Sequence, residues 1–548
     1  MKKIIITIFI AAFAINAHAQ WQWAKHIHSS EFDGAARFCK DANGDIYLGG
    51  YFNGPVGYFP NDTLTAIGDD GVFLIKYNPS GNRIWLKQLD GWGSDPQNVG
   101  ALTYDASTNT VIASVGFSGC AFWDNDTVCS TFGGVEGAIA KFDLNGTCLW
   151  ALSFGGPGDD YSGAVDVDNL GNIYICANNS SIAFLNGDTL QPGTFLAKFD
   201  PQGGLIWHKQ ISGMAQLFSN AFQASFMKII GNDMFIIGDA NTDTLNIDTV
   251  QFANPNAYGV VLARFNLSGD VQWAKLLGYP IGLFGYGAVD NSGNSYISGT
   301  FSGDTAYFGS TIIGNGNLSD MFLAKYDVNG NFIWVRQSFA NGPGGANARG
   351  CFLDGDDKIY ITGKFRGTAQ FGTYSQTSNT GSDAFVARYE PNGDCIGVAH
   401  FGSSFIGAHG LAVIATNDNE PVISAVFVDT ISIAGNTYGC GEVYGDIVIA
   451  KHDIITGIAG EERIVNNELI IYANPTAGKC NISVPDDFVH EKNLTLNIYD
   501  NTGKLIQQKL LQMNDGKIKL NLEAVARGIY TVTLSSRKKS YYGKIVFE

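Results

Sequence analysis

The stretch "FLAKYDVNGNFIW", Phe322–Trp334, decides the fold. Phe322–Tyr326 alternates apolar and polar residues, which predicts a strand. "DVNG" predicts a tight turn, because Asx residues tolerate turn geometry and Gly accepts positive φ. A second strand carrying Trp334 follows. The same hairpin recurs as "FLIKYNPSGNRIW" from Phe73, "AIAKFDLNGTCLW" from Ala138, "FLAKFDPQGGLIW" from Phe195 and "VLARFNLSGDVQW" from Val261. A further copy, "FVARYEPNGDCIG" from Phe385, has Gly397 in place of Trp. The last, "IVIAKHDIITG" from Ile447, starts the pattern and stops.

A second hairpin precedes each copy. It reads "DANGDIYLGGYF" from Asp41, "DNLGNIYICANN" from Asp168, "DNSGNSYISGTF" from Asp290 and "DGDDKIYITGKF" from Asp354, and more loosely near Val111, Met234 and Pro421. Each repeat therefore predicts four strands. Seven such repeats predict an all-β, seven-bladed β-propeller over residues 20–453, an architecture that hides strand edges by going round. Only six outer strands follow their partners. The missing one stands at the front of the chain as "WQWAKHI", Trp21–Ile27. It is expected to pair with Ile447–Asp453 and close the seventh blade. Trp residues at matching repeat positions read as packing residues.

Composition agrees. Aromatics make up 12% and Gly numbers 68, which favours strands and turns over helices. The formal net charge is −17, and an acidic body argues against nucleic acid or anionic membrane as partner. Residues 1–19 read as a signal peptide: Lys2 and Lys3, an apolar run, then Ala17-His18-Ala19. No other segment is apolar and long enough to span a membrane. Nine cysteines form no fixed framework, although Cys120 and Cys129 lie close enough to bridge one loop.

"FGGPGDDYSGAVDVDNLGNIYICA", Phe154–Ala177, resembles the seven-bladed β-propeller repeat family of bacterial secreted proteins. That resemblance implies a repeat structure and no reaction. Residues 454–467 read as a linker. Residues 468–548 predict a small, Ig-like β-sandwich, with turn chemistry in Asn-Pro-Thr-Ala-Gly and Asp-Asn-Thr-Gly. Asn474, Pro475, Thr476 and Gly478, then Asp500, Gly503 and Lys504, then Gly528, Tyr530 and Lys544, resemble in order the type A C-terminal sorting domain of the Bacteroidetes type IX secretion system. The resemblance implies export through the periplasm, contact with the type IX machinery and its sortase, and a secreted or outer-membrane-surface destination.

The blade-to-blade loops offer Trp92, Asp95, Asp159, Asp160, Tyr161, Tyr286, Arg349 and His409 as candidate ligand contacts, suited to a glycan or a protein. No residue is assigned a catalytic role, since nucleophile-elbow, zinc and P-loop motifs are absent. No metal or cofactor is assigned either. Asp41-x-Asn43-x-Asp45 and Asp354–Asp357 could hold calcium, but both coincide with repeat turns and lack the later Glu of an EF-hand loop. Asp-Thr-apolar recurs at Thr63, Thr127, Thr189, Thr244, Thr249, Thr305 and Thr430. It resembles the O-glycosylation acceptor of Bacteroidetes; the alternative is a turn copied by duplication. Two functions are expected to compete: a secreted or surface binding and adhesion module, or a secreted enzyme acting on glycans as hydrolase or lyase.

Overall fold

The computed structural model describes residues 20–453 apart from 67, 69, 90–97, 125, 131, 133, 213, 217–218, 221, 243, 254–257, 279–285, 303–304, 315–318, 404–406 and 441–444. Beyond residue 468 it describes 469, 471–472, 476, 478–484, 488, 494–500, 504–511, 517–522, 525–535 and 540–547. The chain divides into two compact bodies, Met1–Gly457 and Ile458–Glu548. The fold is all-β and propeller-like.

The first repeat shows how the hairpins join. Asp33–Lys40, Ile46–Asn53, Asp70–Tyr77 and Arg83–Gln88 pair antiparallel in that order, from inner to outer strand. The turn between the third and fourth strands follows from its side chain. In the fifth repeat, Asp327 Oδ1 accepts from the amides of Asn329 at 2.9 Å and Asn331 at 2.8 Å, while Gly330 takes φ 69°. The other inner strands are Asn98–Asp105, Asp160–Val167, Phe222–Ile230, Tyr286–Val289, Ala346–Leu353 and Gly407–Ala415.

The seventh repeat takes its outer strand from the front of the chain. Trp21–Ile27 pairs antiparallel with Asp446–His452, with Trp23 opposite Lys451. The register equals that of Trp85 opposite Lys76 and Trp150 opposite Lys141. Trp23, rather than Trp21, is therefore the counterpart of the repeat tryptophans.

The two middle strands of each repeat are buried nearly throughout, because another repeat covers each face. One hydrophobic core fills each seam between consecutive repeats. The last core joins the seventh repeat to the first: Ile27, Ile414, Val422, Ile447 and Ile449 pack with Ala35, Ile46, Leu48, Phe73 and Ile75. Sequential packing thus returns to its start.

Two polar devices tie the seams. The Lys or Arg of the "FLAKY" strand is buried at Lys76, Lys141, Arg388 and Lys451 and half-buried at Lys198, Arg264 and Lys325, although its alternation suggested an ordinary polar position. Lys76 Nζ meets Asp41 at 3.1 Å and Asp45 at 3.0 Å, lies 4.9 Å from the Tyr47 ring centroid, and donates to Leu144 O of the next repeat at 3.3 Å. Lys141 donates in the same way to Pro201 O, Arg264 to Val328 O, Lys325 to Pro391 O and, across the closing seam, Lys451 to Pro79 O.

The second device is the repeat Trp, which lies against the turn glycine of the next repeat. A Cβ on Gly146 would meet the Trp85 ring at 3.0 Å, and one on Gly203 would meet Trp150 at 3.1 Å. Gly81 would meet Trp23 at 2.6 Å, again across the closing seam. Trp85 Nε1 donates to Leu144 O at 3.0 Å and Trp23 Nε1 to Pro79 O at 3.3 Å. This explains Gly397. The repeat after it is built from two chain ends and has no continuous turn there to receive a tryptophan. Trp21 instead packs edge-on against Phe401 of the sixth repeat, with ring centroids 5.2 Å apart.

A further hairpin between the second and third strands was not anticipated. Val56–Phe59 pairs with Asp62–Thr65, Cys120–Trp123 with Asp126–Cys129, and Ala183–Leu185 with Asp188–Leu190. Similar pairs follow in later repeats, and in the sixth the middle strands simply lengthen to Ile359–Phe371 and Tyr374–Tyr389. These hairpins lap onto the outer strand of the preceding repeat. Phe154 pairs with Leu185, Ser338 with Phe371, and bridges join His28 to Tyr58 and Ser403 to Ile431. The lap of Ser338 on Phe371 and a parallel pair between Ser382 and Gly407 join the last three repeats into one 12-stranded sheet, and the laps cover outer edges that would otherwise be open. Cys120 and Cys129 face each other in one lap and form a disulfide.

In the second body, Ile471–Tyr472, Lys479–Ser483 and Lys517–Asn521 form one sheet. Leu505–Leu511, Leu494–Tyr499, Gly528–Ser535 and Ser540–Phe547 form another, in that order. Residues from both sheets, among them Ile482, Leu520, Leu496, Ile498, Val532 and Ile545, build one core.

Candidate functional site

All seven inner strands face one cavity of about 410 Å³. Its lining takes residues 37–40, 101–104, 164–166, 225–228, 286–289, 349–353 and 411–414. Each strand thus contributes three to five consecutive residues.

The charge of this lining opposes that of the chain. Arg37, Lys40, Lys228 and Arg349 face one carboxylate, Asp166, among the described lining residues. Asp166 is engaged: it accepts from Thr103 Oγ1 at 2.9 Å and the Ile229 amide at 2.8 Å, and pairs with Lys228 at 3.0 Å. Lys40 Nζ donates to Ala415 O at 2.8 Å.

Three of the anticipated residues come together here. Tyr286 and Arg349 line the cavity, and His409 lies beside them with Nε2 3.4 Å from Lys364 Nζ. Burial, then the Lys364 and Arg349 charges, push the His409 imidazole down to about 4. Burial and the Arg349 charge lower Lys364. Burial raises the Tyr286 phenol, opposed by Arg37 and Arg349. Arg37 and Lys364 were missed because "AARFC" and "ITGKF" read as ordinary strand.

Asp159 and Asp160 serve the seam between the second and third repeats. Asp159 Oδ1 accepts from the Val135 amide at 3.3 Å, and Asp160 Oδ2 from the Gly156 amide at 2.6 Å. Burial, with Glu136 and Asp159 nearby, raises Asp160 to about 7. Tyr161 is exposed at the start of the same strand. Trp92 and Asp95 lie outside the described residues.

The calcium candidates are occupied by the chain's own donors. Asp41 Oδ1 accepts from the amides of Asn43 at 2.9 Å and Asp45 at 3.0 Å, and Oδ2 receives Tyr47 and Lys76. Asp354 accepts from the Asp356 and Lys358 amides, both at 2.9 Å, and from Arg388 at 3.1 Å.

The threonines of the Asp-Thr-apolar motif sit on or beside the lap hairpins, in three settings. Thr63, Thr127 and Thr189 follow the hairpin turn, Thr249 lies in it, and Thr244, Thr305 and Thr430 begin the hairpin. The first five are exposed and the last two half-buried, in the order Thr63, Thr127, Thr189, Thr244, Thr249, Thr305, Thr430.

In the second body, Thr476 is buried; its amide donates to Val546 O at 2.8 Å and its hydroxyl to Lys479 O at 2.7 Å. The Gly478 amide donates to Thr476 Oγ1 at 3.2 Å. Asp500 Oδ1 accepts from the Lys504 amide at 3.0 Å, and the Tyr530 hydroxyl donates to Ala526 O. Gly528 opens the strand Gly528–Ser535, and Lys544 is exposed on the next. Asn474, Pro475 and Gly503 lie outside the described residues. Thr476, Gly478, Asp500 and Gly528 thus hold turns and strand ends.

Among known proteins, an uncharacterized WD repeat-containing protein, L264, of Acanthamoeba polyphaga mimivirus is 25% identical over 416 residues. The match covers 67% of this chain and spans 27% of that protein's length. Among solved structures, the phage phi92 endosialidase is 11% identical, with a TM-score of 0.37, covering 95% of this chain and 87% of its own. The extracellular domain of the putative one component system BT4673 from B. thetaiotaomicron is 12% identical, with a TM-score of 0.22, covering 95% and 80%. No helix among the described residues is long and apolar enough to cross a membrane. Residues 470–548 match the secretion system C-terminal sorting domain, which indicates export by type IX secretion to the medium or the cell surface.

Proposed function

We propose that the chain is a seven-bladed β-propeller that binds a ligand at its central cavity, carried outward by an Ig-like sorting domain. Residues 1–19 direct it to the periplasm and are removed, and the type IX machinery and its sortase then handle the tail. One observation carries the binding role: the inner strands of all seven repeats line a single cavity. A cavity of this size suits one small ligand or the end of a larger one.

The competing role, hydrolysis of a glycan, calls for two carboxylates flanking the reacting bond. Asp166 is the carboxylate of the described lining, and three donors hold it. Binding is therefore favoured over hydrolysis. A glycan array followed by product analysis tests this. Bound glycan recovered intact supports a binding module, and released sugar fragments would establish the enzyme.

The Asp-Thr-apolar threonines are read as O-glycan acceptors. Their three different hairpin settings favour this over one copied turn. An intact mass equal to that of the bare secreted chain would refute it.

A further inference from the structure

We propose that the central cavity binds an oxyanion, a carboxylate, sulfate or phosphate group of a ligand, held by Arg37, Arg349 and Tyr286 and flanked by Lys364 and His409. This deepens the channel-binding reading and rests on it.

The first support is a layer of bulges. Six inner strands shift register at one level, between Ala35 and Arg37, Val99 and Ala101, Ser162 and Ala164, Ala224 and Phe226, Ala348 and Gly350, and Gly410 and Ala412. A bulge adds one residue and re-aims its side chain. The added residues are Ala36, Gly100, Gly163, Ser225, Arg349 and Leu411. Small residues suit this level because neighbouring backbones approach closely. A Cβ on Gly163 would lie 2.6 Å from Cys176 O and 3.0 Å from Ala224 O of the next repeat. Arg349 is the cationic member of this set. Arg37 follows the bulge of the first repeat, and its Nε donates to Gly100 O at the bulge of the second. Tyr286 stands at the corresponding level of the fifth repeat, where it opens the inner strand.

The second support is charge. A chain of formal charge −17 places four cations and one carboxylate among the described residues that line this cavity. Burial lowers Arg37, Lys364 and His409 together, and the mutual repulsion of Arg349, Lys364 and His409 adds to it for the latter two. A bound anion would relieve that repulsion. Guanidinium forks match carboxylate, sulfate and phosphate oxygens, and a phenol adds a neutral donor.

Isothermal titration of the full chain at constant ionic strength tests this. The probes are galacturonate, sodium sulfate, sodium phosphate and neutral galactose. At least one anion should bind, and the arms separate carboxylate from tetrahedral recognition. Arg349→Gln should weaken that binding about 10- to 100-fold, the worth of a charged hydrogen bond. The His409 imidazole signal should titrate at higher pH with the anion bound. Thermal melts check each variant. If Arg37→Gln unfolds, Arg349→Gln and Lys364→Gln carry the test. Absence of anion binding, or affinity unchanged in Arg349→Gln, overturns the inference. Galactose binding that survives Arg349→Gln and is lost in Leu411→Trp would overturn it while leaving the channel reading intact. Ligand binding indifferent to Leu411→Trp would remove both.

Discussion

Replacing Trp23 by Ala should destabilise the propeller-like body as much as replacing Trp85. The two tryptophans hold the same place in different seams. Trp85 joins repeats that are continuous in sequence. Trp23 joins the strand Trp21–Ile27 to a turn some 56 residues later. Each ring lies over a turn glycine, Gly146 or Gly81, and each Nε1 donates to a carbonyl, at 3.0 Å to Leu144 O or 3.3 Å to Pro79 O. A fully buried Trp→Ala change costs about 3–5 kcal/mol. Both side chains are half-buried, so roughly half of that applies, about 2 kcal/mol. The lost hydrogen bond adds about 1 kcal/mol. Each variant should therefore lose about 3 kcal/mol, and the double variant about twice as much, since separate seams add. Urea unfolding followed by far-UV circular dichroism reads the midpoints without relying on tryptophan emission. A Trp23→Ala midpoint equal to wild type, beside a lowered Trp85→Ala midpoint, would refute the closure of the seventh repeat onto the first.

Lys76→Ala should cost about 3–5 kcal/mol in the same assay, because it strands the buried Asp41 carboxylate without its cation; a loss below about 1 kcal/mol would show the pair to be dispensable. Asp33 is raised to about 8, by burial first and the Asp446 charge as well, with hydrogen bonds from Ser29 and Asn53 opposing. Between pH 4 and pH 8 the unfolded chain releases a proton that the folded chain keeps, so this group makes stability fall as pH rises. Asp33→Asn should flatten that fall and gain about 2–4 kcal/mol on wild type over the window; an unchanged slope would refute the shift. Removal of residues 468–548 should leave the protein inside the cell envelope with its first body still folded, and release of the truncated chain to the medium at the normal level would refute the sorting role.

Much of the fold was legible because each repeat states its own local rules. Asp327 and Gly330 announce their turn through side-chain and φ chemistry, and Lys325 and Trp334 keep fixed offsets from it. The lap hairpins were less legible. Their strands run three or four residues, too short for alternation to show, and their turns use different residues, Asn186-Gly187 in one and Ala434-Gly435 in another. The site was half legible. Tyr286, Arg349 and His409 were read as loop residues, whereas they stand in inner strands, Tyr286 and His409 near the start and Arg349 on a bulge. Arg37 and Lys364 lie inside strand patterns, where sequence gives no sign of which face turns to the axis. Asp159 and Asp160 drew notice for the same reason as Arg349, yet their carboxylates receive backbone amides at a seam.

Sequence alone determined what is local and repeated: strands, turns, the front-end origin of one outer strand, and the sorting tail. Those features depend on residues a few positions apart, so a linear pattern records them. Tertiary structure decided what arises between repeats. It drew the repeated Lys/Arg position into the seams, set each tryptophan on the next repeat's glycine, made Gly397 intelligible, and gathered cations from strands hundreds of residues apart around one cavity. A side chain's partner across a seam is set by how whole sheets stack, and no spacing within a single repeat encodes that.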